Sequence, residues 1–228
     1  MKKTLLILLS IPILLIANNG KKVTLQLNWL NQFQFAGYYV AKEKGFYNEV
    51  GLDVDIKEFS VGTNLNDMIK TKKADFAIGS SSLLIDKIKG EDVVALGAIF
   101  QESPLMLLVK NDSNINSVKD LKNKKIMITS DVANSASILA MLSANGLKEN
   151  DFTRQEHSFD INDLINGTTD AMASYLSNEP IVLKDKNIEY KIFHPKDFGF
   201  DFYNDILFTS SKFIKKIQSS LKIFMMQQ

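Results

Sequence analysis

Cysteine is absent from this chain of 228 residues, which excludes a disulfide framework, a thiolate metal site, a cysteine nucleophile and a lipid-bearing cysteine anchor. Stability must therefore come from packed apolar side chains. With 45% hydrophobic residues, a chain of this length can bury one large core or two smaller ones. Histidine occurs only at His157 and His194, both in strand-like segments with no nucleophile motif beside them. The GxSxG, HExxH, EF-hand and P-loop patterns are missing as well, so no hydrolytic or metal centre assembles and both histidines are expected to be structural. Arginine occurs once, at Arg154, in a chain otherwise rich in lysine; this bears on ligand choice, because two-pronged recognition of sulfonate or phosphate usually uses arginine. There are four prolines, no low-complexity stretch and no long linker.

An excess of either charge is also lacking. The formal net charge is +1, from 27 basic and 26 acidic residues. Without Lys2 and Lys3 the balance is 27 − 2 = 25 against 26, or −1. No basic surface points to nucleic acid, and a polyanionic partner is not expected. The longest apolar run, Leu5 to Ala17, follows Lys2 and Lys3 and is short for a bilayer span, so it reads as a secretory signal over residues 1–17. Cleavage is expected after Ala17, in the context Leu15-Ile16-Ala17; an uncut signal would leave a tether.

Past the leader, the most informative stretch is Leu27 to Glu58. Strand Val23 to Asn28 runs into Trp29, Phe33, Phe35, Tyr38 and Tyr39, a density of rings that fits either a core staple or one wall of a small-molecule cleft. The rest alternates short apolar strands with helical segments, an α/β rhythm. In the first half, strands are expected near Asp53–Phe59, Phe76–Gly79 and Val93–Phe100, with helices near Ala36–Glu49, Leu65–Lys72 and Leu83–Lys89. Gly45 and Gly51 bracket the end of the first helix, and Thr63 or Asn64 caps the second. A second series begins after Ser103-Pro104, with strands at Leu105–Val109, Lys125–Thr129, near His157, Asp170–Ala173 and Tyr190–His194. Strand Ile206–Thr209 and a helix from Lys212 would return the chain to the first series.

The octets Lys73 to Ser80 and Thr168 to Tyr175 each follow a helix, place Asp at a strand start and end it in small residues. That correspondence supports two lobes, expected over residues 22–102 with 204–228 and over 105–200. Ligands of open α/β sheets bind outside the carboxyl ends of strands. The candidates at such ends are Gly79-Ser80-Ser81-Ser82, whose hydroxyls and backbone N–H groups suit an anion or a polar ring edge; Ser130 to Ser135, including Asn134; and Tyr175 to Pro180, with an aromatic, an amide and a carboxylate close together. Small residues at strand ends also serve tight turns, and Asp131 could simply cap a helix. The expected ligand set is Trp29, Phe35, Tyr38, Gly79, Ser80, Ser81, Asn134, Ser135, Tyr175, Asn178 and Glu179, with no catalytic residue, no metal ligand and no cofactor.

Several segments resemble one family. They are Leu27-Asn28-Trp29, Gly37 to Tyr47 (GYYVAKEKGFY), Gly51-Leu52-Asp53-Val54, Lys73-Ala74-Asp75-Phe76 and Ser177-Asn178-Glu179-Pro180. Together they resemble the periplasmic substrate-binding proteins related to thiamine-pyrimidine synthases and to the nitrate, sulfonate and taurine binders of ABC importers. The resemblance covers about Lys22 to Ser210. It implies a two-lobed α/β binding protein of the periplasm that closes over a small heterocycle, such as a thiamine-precursor pyrimidine, or a similar solute, and delivers it as a monomer to a membrane permease. The same module also stands as a sensory region, so a signalling partner is the alternative. The family's synthases use a pyridoxal-phosphate lysine, a substrate histidine and a cysteine-rich iron motif. Here Gly79 to Leu83 (GSSSL) occupies the first region, with no histidine there and no cysteine anywhere, so synthase chemistry is not expected. The pyrimidine binders' Asp-Trp-x-Pro-Asn followed by His reads Asn28-Trp29-Leu30-Asn31-Gln32 and Phe35. Relatives continue past Gln228 with further helices, so Ile214, Ile217 and Phe224 are expected to lie exposed and to favour self-association.

Overall fold

The computed structural model describes residues 20–60, 62–129 and 135–217. The leader, Asn134 and Phe224 lie outside them. The first series contains β1 (Lys21–Gln26), α1 (Ala36–Glu43), α2 (Phe46–Glu49), β2 (Leu52–Lys57), α3 (Leu65–Lys70), β3 (Phe76–Gly79), α4 (Leu83–Ile88) and β4 (Val94–Phe100). The second contains β5 (Leu105–Lys110), β6 (Lys125–Met127), α5 (Ala136–Ala144), β7 (Thr153–Gln155), α6 (Asn162–Ile165), β8 (Ala171–Tyr175), α7 (Glu179–Asp185) and β9 (Tyr190–Phe193). The chain then passes back through β10 (Asn204–Thr209) to helix α8, residues 211–217.

Two five-stranded sheets result, ordered β2-β1-β3-β10-β4 and β7-β6-β8-β5-β9. In each, three parallel strands adjoin an antiparallel strand that has crossed from the other series: β10 against β3 and β4, and β5 against β8 and β9. This is a two-lobed α/β architecture with a cleft between the lobes. The matched octets occupy equivalent places, since β3 and β8 are both third in their sheet. Their aspartates do the same work: the Asp75 carboxylate accepts from Thr24 N at 2.9 Å, and that of Asp170 from Lys125 N at 2.8 Å. Each ties the start of its own strand to the neighbouring parallel strand, at Thr24 within β1 and at Lys125 at the head of β6, and leaves the carboxyl ends free to form the cleft.

Local structure follows the side chains. Val23, Leu25 and Leu27 alternate into the core of the first lobe, 0–3% exposed, the period of a strand with one covered face. Met106 to Val109 on β5 are all 0% exposed, because helices cover both faces of that sheet. The single helix expected over Ala36–Glu49 is two, because Gly45 sits at φ 77° in the left-handed region, which stops α1 before α2 begins. Asn64 caps α3, its Oδ1 accepting from Asp67 N at 3.0 Å. Ile214 and Ile217 are half-buried rather than exposed, and Phe213 of the same helix packs edge-on against Phe76 at 5.3 Å.

Candidate functional site

The two crossovers between lobes are tied to one another. Ser103 N donates to Asp201 Oδ1 at 3.1 Å, and His194 Nε2 bonds to the Ser103 carbonyl at 3.0 Å. Lys196 pairs with Glu102 beside them. His194 is therefore a structural residue of the crossover. Above this region the carboxyl ends of β1, β3, β6 and β8 converge on a cavity of about 80 Å³. Its walls come from both lobes, with Asn28, Trp29 and Ser80 on one side and Thr129, Ser135, His157, Tyr175 and Glu179 on the other.

Trp29 is the centre of an aromatic cluster that bridges the lobes. Its indole lies nearly parallel to Tyr175, with centroids 6.4 Å apart and 7° between planes, and to Phe59 on its own lobe at 6.4 Å and 17°. His157 and Phe159 of the second lobe meet it edge-on at 5.6 and 4.7 Å. Phe159 holds φ 64°, an uncommon conformation for a bulky residue, and its N–H donates to His157 Nδ1 at 3.0 Å. The other ring nitrogen, Nε2, bonds to the Ala173 carbonyl at 2.8 Å. Both nitrogens of His157 are thus committed, and burial holds its pKa below the ordinary histidine value against the raising influence of the Ala173 carbonyl, Glu179 and Glu156. A neutral imidazole serves here as an aromatic wall.

Beneath the rings lies a polar layer. Asn204 Nδ2 donates to the Tyr175 hydroxyl at 3.0 Å, a bond between lobes. Asn28 Nδ2 donates to Asp205 Oδ1 at 3.2 Å. Burial pushes the Asp205 carboxyl up to about 6, opposed by the Asn28 bond and by the nearby Tyr175 hydroxyl. Burial also raises the Tyr175 phenol, with Asp205 and Glu179 adding to it. The Glu179 carboxylate is satisfied by its own turn, accepting from Tyr175 N at 2.9 Å and Asn178 Nδ2 at 2.8 Å. Ser135 and Thr129 share a hydroxyl bond at 3.1 Å, as do Ser80 and Ser82 at 2.8 Å.

Of the residues expected to hold a ligand, Trp29, Ser80, Ser135, Tyr175 and Glu179 line the cavity. The others that are described do not. Phe35 is a correction: it is 0% exposed and packs with Leu27, Val54 and Ile78, because the turn after β1 points it inward as a core staple. Tyr38 packs against the same cluster, with its phenol raised by burial and by Asp205. Gly79 ends β3 inside the core, where a Cβ would lie 3.1 Å from Phe208 and 3.2 Å from Leu83; close packing, not ligand approach, uses this glycine. Ser81 faces a separate groove with Leu84 and Tyr203. Asn178 supports Glu179 without lining the cavity. Sequence reasoning missed Asn28, His157, Asn204 and Asp205. The NW pair after β1 and the ND pair at the start of β10 could have signalled three of them, since polar residues at strand ends in apolar surroundings call for a partner.

Comparisons with known proteins agree with this architecture. The family model described as NMT1/THI5 like matches residues 32–226, and the chain belongs to that family. It is 29% identical over 181 residues to the riboflavin-binding protein RibY of Chloroflexus aurantiacus, covering 75% of this chain and 50% of that protein. It is 28% identical over 106 residues to the 4-amino-5-hydroxymethyl-2-methylpyrimidine phosphate synthase of Legionella pneumophila, covering 46% of this chain and 34% of the synthase. The chain thus spans half or less of these relatives. Among solved structures, the alkanesulfonate-binding protein SsuA of Xanthomonas axonopodis pv. citri, bound to MOPS, matches with a TM-score of 0.62 at 15% identity, over 89% of this chain and 72% of that one.

Proposed function

We propose that this NMT1/THI5-like chain forms the ligand-binding lobes of a periplasmic solute-binding protein of an ABC importer, and that a flat heterocycle enters between Trp29 and Tyr175. The observation that carries the reading is the pair of near-parallel rings from opposite lobes that line the cavity, with centroids 6.4 Å apart. A ring inserted between two others needs about 7–8 Å between their planes, two carbon contact distances, so the lobes would separate to admit it. The cavity of about 80 Å³ is well below the several hundred Å³ of ordinary ligand sites, which describes lobes closed upon their own rings. Binding would exchange the Trp29–Tyr175 contact for two ligand contacts, with closure about the crossovers at Ser103 and Asp201.

Binding rather than catalysis is supported by the chemistry of the walls. His157 has no free nitrogen and the Glu179 carboxylate is held by its own turn. Neither offers the free nucleophile or base that a synthase would need. RibY is a binding protein by name, and its similarity to this chain supports the same reading. The test is thermal unfolding against riboflavin, hydroxymethylpyrimidine, formylaminopyrimidine, thiamine, taurine, alkanesulfonates and nitrate. A ligand at about a hundred times its dissociation constant adds about 2.7 kcal/mol and raises the midpoint by a few degrees. A shift that is lost in Trp29→Ala supports the reading, and a shift unchanged by that variant refutes the slot.

A further inference from the structure

The ring that forms one wall of the slot is also fastened to the opposite lobe. Tyr175 ends β8 in the second lobe, but its hydroxyl reaches the first residues of β10 in the first. The oxygen accepts from Asn204 Nδ2 at 3.0 Å, and its one proton goes to the Asp205 carboxyl. Asn204 is 6% exposed, and its amide is fixed at the other end, where Oδ1 accepts from Asp205 N at 2.9 Å. That bond sets the direction of the amide and aims Nδ2 at Tyr175. The same Nδ2 lies 3.5 Å from Ser103 Oγ on the first crossover. The backbone beneath holds an uncommon shape, with Asp205 at φ 45°, which persists only where the surroundings determine it.

These bonds and the slot make opposite demands. The Trp29 and Tyr175 rings, with centroids 6.4 Å apart, fill the space between the lobes with their own contact. Admitting a third ring needs about 7–8 Å between planes, whereas a hydrogen bond weakens once its heavy atoms are more than about 3.2 Å apart. A separation of the lobes that admits a ring would either break the bond from Asn204 or pull the Tyr175 ring off the wall it forms.

We propose that the Tyr175 hydroxyl, with Asn204 and Asp205, is a latch that holds the two lobes together over a slot filled by its own rings, and that a solute must break the latch to enter. This rests on the reading of the Trp29–Tyr175 slot as the solute site. The latch sets affinity without touching the ligand, because the measured dissociation constant is the intrinsic one divided by the fraction of molecules that are open. Tyr175→Phe keeps the ring and its stacking and removes only the hydroxyl. In the closed form it leaves Asn204 Nδ2 and the Asp205 carboxyl one partner short, a penalty that water relieves once the lobes part. The variant should therefore bind more tightly, the reverse of the effect of losing a ligand contact.

The test uses the single tryptophan of the chain, which Tyr175, His157 and Phe159 of the second lobe contact and which therefore reports separation of the lobes. Acrylamide quenching of Trp29 is compared in the full chain, Tyr175→Phe and Asn204→Ala, with circular dichroism to show that each is folded. The quenching constant should rise at least about twofold in both variants, with a larger radius of gyration in X-ray scattering. Calorimetric titration with riboflavin and with 4-amino-5-hydroxymethyl-2-methylpyrimidine gives the second readout. A probe that binds the parent should bind Tyr175→Phe at least about threefold more tightly. Unchanged quenching in Tyr175→Phe, or a probe bound no more tightly by it than by the parent, would overturn the proposal. If neither probe binds the parent, or if Asn204→Ala does not fold, quenching of Tyr175→Phe decides it. The slot fails differently: a probe whose affinity is unchanged in Trp29→Ala refutes the slot, whereas loss of binding in Trp29→Ala with unchanged quenching in Tyr175→Phe keeps the slot and removes the latch.

Discussion

The two lobes share a strand order but not a degree of completion. The second lobe holds a cluster of fifteen buried hydrophobic residues and another of six on the opposite face of its sheet. Among the described residues the first holds clusters of seven and six. Its edge strand β4 leaves Leu96 46% and Ile99 52% exposed, and α4 beside it leaves Leu84 68% and Ile88 78% exposed. The sequence Val94 to Phe100 carries no charge and no proline, so the strand itself has none of the side chains that usually guard an edge against pairing with another strand. Both sheets are covered on both faces, the first by clusters that take alternate residues such as Ala77 and Ile78, but in the first the cover thins toward the β4 edge. The aromatic slot joins the two lobes, the one with the larger clusters carrying Tyr175 and His157 and the other carrying Trp29, which packs against its Leu27 and Phe35 cluster.

The largest expected effect lies in the complete lobe. Leu108→Ala, at 0% exposure between β8 and β9, should destabilise by about 2–5 kcal/mol through lost transfer energy and a cavity, whereas Leu84→Ala on the open face should fall within about 0.5 kcal/mol. Denaturant melts of the two variants check the contrast, and equal losses would show that the first lobe is better covered than its exposures indicate.

Asp205 gives the next effect, with the opposite sign. Its folded pKa of about 6 stands above the ordinary 3.8, so the folded state holds the proton more tightly and loses stability as pH rises from about 4 to about 6. The carboxylate then burdens the fold at neutral pH by up to about 3 kcal/mol. Asp205→Asn should accordingly raise the neutral-pH stability by about 1–3 kcal/mol and leave it unchanged near pH 4. His157, with its lowered pKa, works the other way below neutrality, and subtracting the variant's pH profile from that of the parent cancels it. A variant less stable at pH 7 would mean that Asp205 is structurally paired.

Trp29→Ala should weaken ligand binding at least tenfold, about 1.4 kcal/mol, from stacking contacts worth about 0.5–1.5 kcal/mol each. The smallest folding effect belongs to Ile99→Lys, which should move the unfolding midpoint by about 0.5 kcal/mol or less and yet reduce association at high concentration in sedimentation velocity, if the open face of the first lobe is the sticky one. The sequence alone put that property at Ile214, Ile217 and Phe224; the first two are half-buried and the third lies outside the described residues, whereas Leu84, Ile88, Leu96 and Ile99 of α4 and β4 are exposed.

The fold was largely legible in the chain. Alternation in Val23, Leu25 and Leu27, the unbroken apolar run of β5 and the paired octets around Asp75 and Asp170 are local patterns, and local patterns set strands and their order of appearance. The site was legible in part. Trp29, Ser80, Ser135, Tyr175 and Glu179 are at strand ends, where topology alone predicts a crevice. Phe35 and Tyr38 were indistinguishable from Trp29 by spacing, because which way a short turn points its rings depends on what packs above it. His157 read as an isolated residue, for its ring partners Trp29 and Phe159 come from opposite lobes.

By itself, then, the sequence determined an α/β chain of two similar halves, held without disulfides and lacking the motifs of hydrolysis, since composition and short-range periodicity fix those properties. Only the tertiary structure decided which rings meet and which polar atoms are left over. Asn28 and Asp205 are 177 residues apart in the chain and 3.2 Å apart in space, and no local rule records that a carboxylate is buried until the strand that carries it is threaded between β3 and β4.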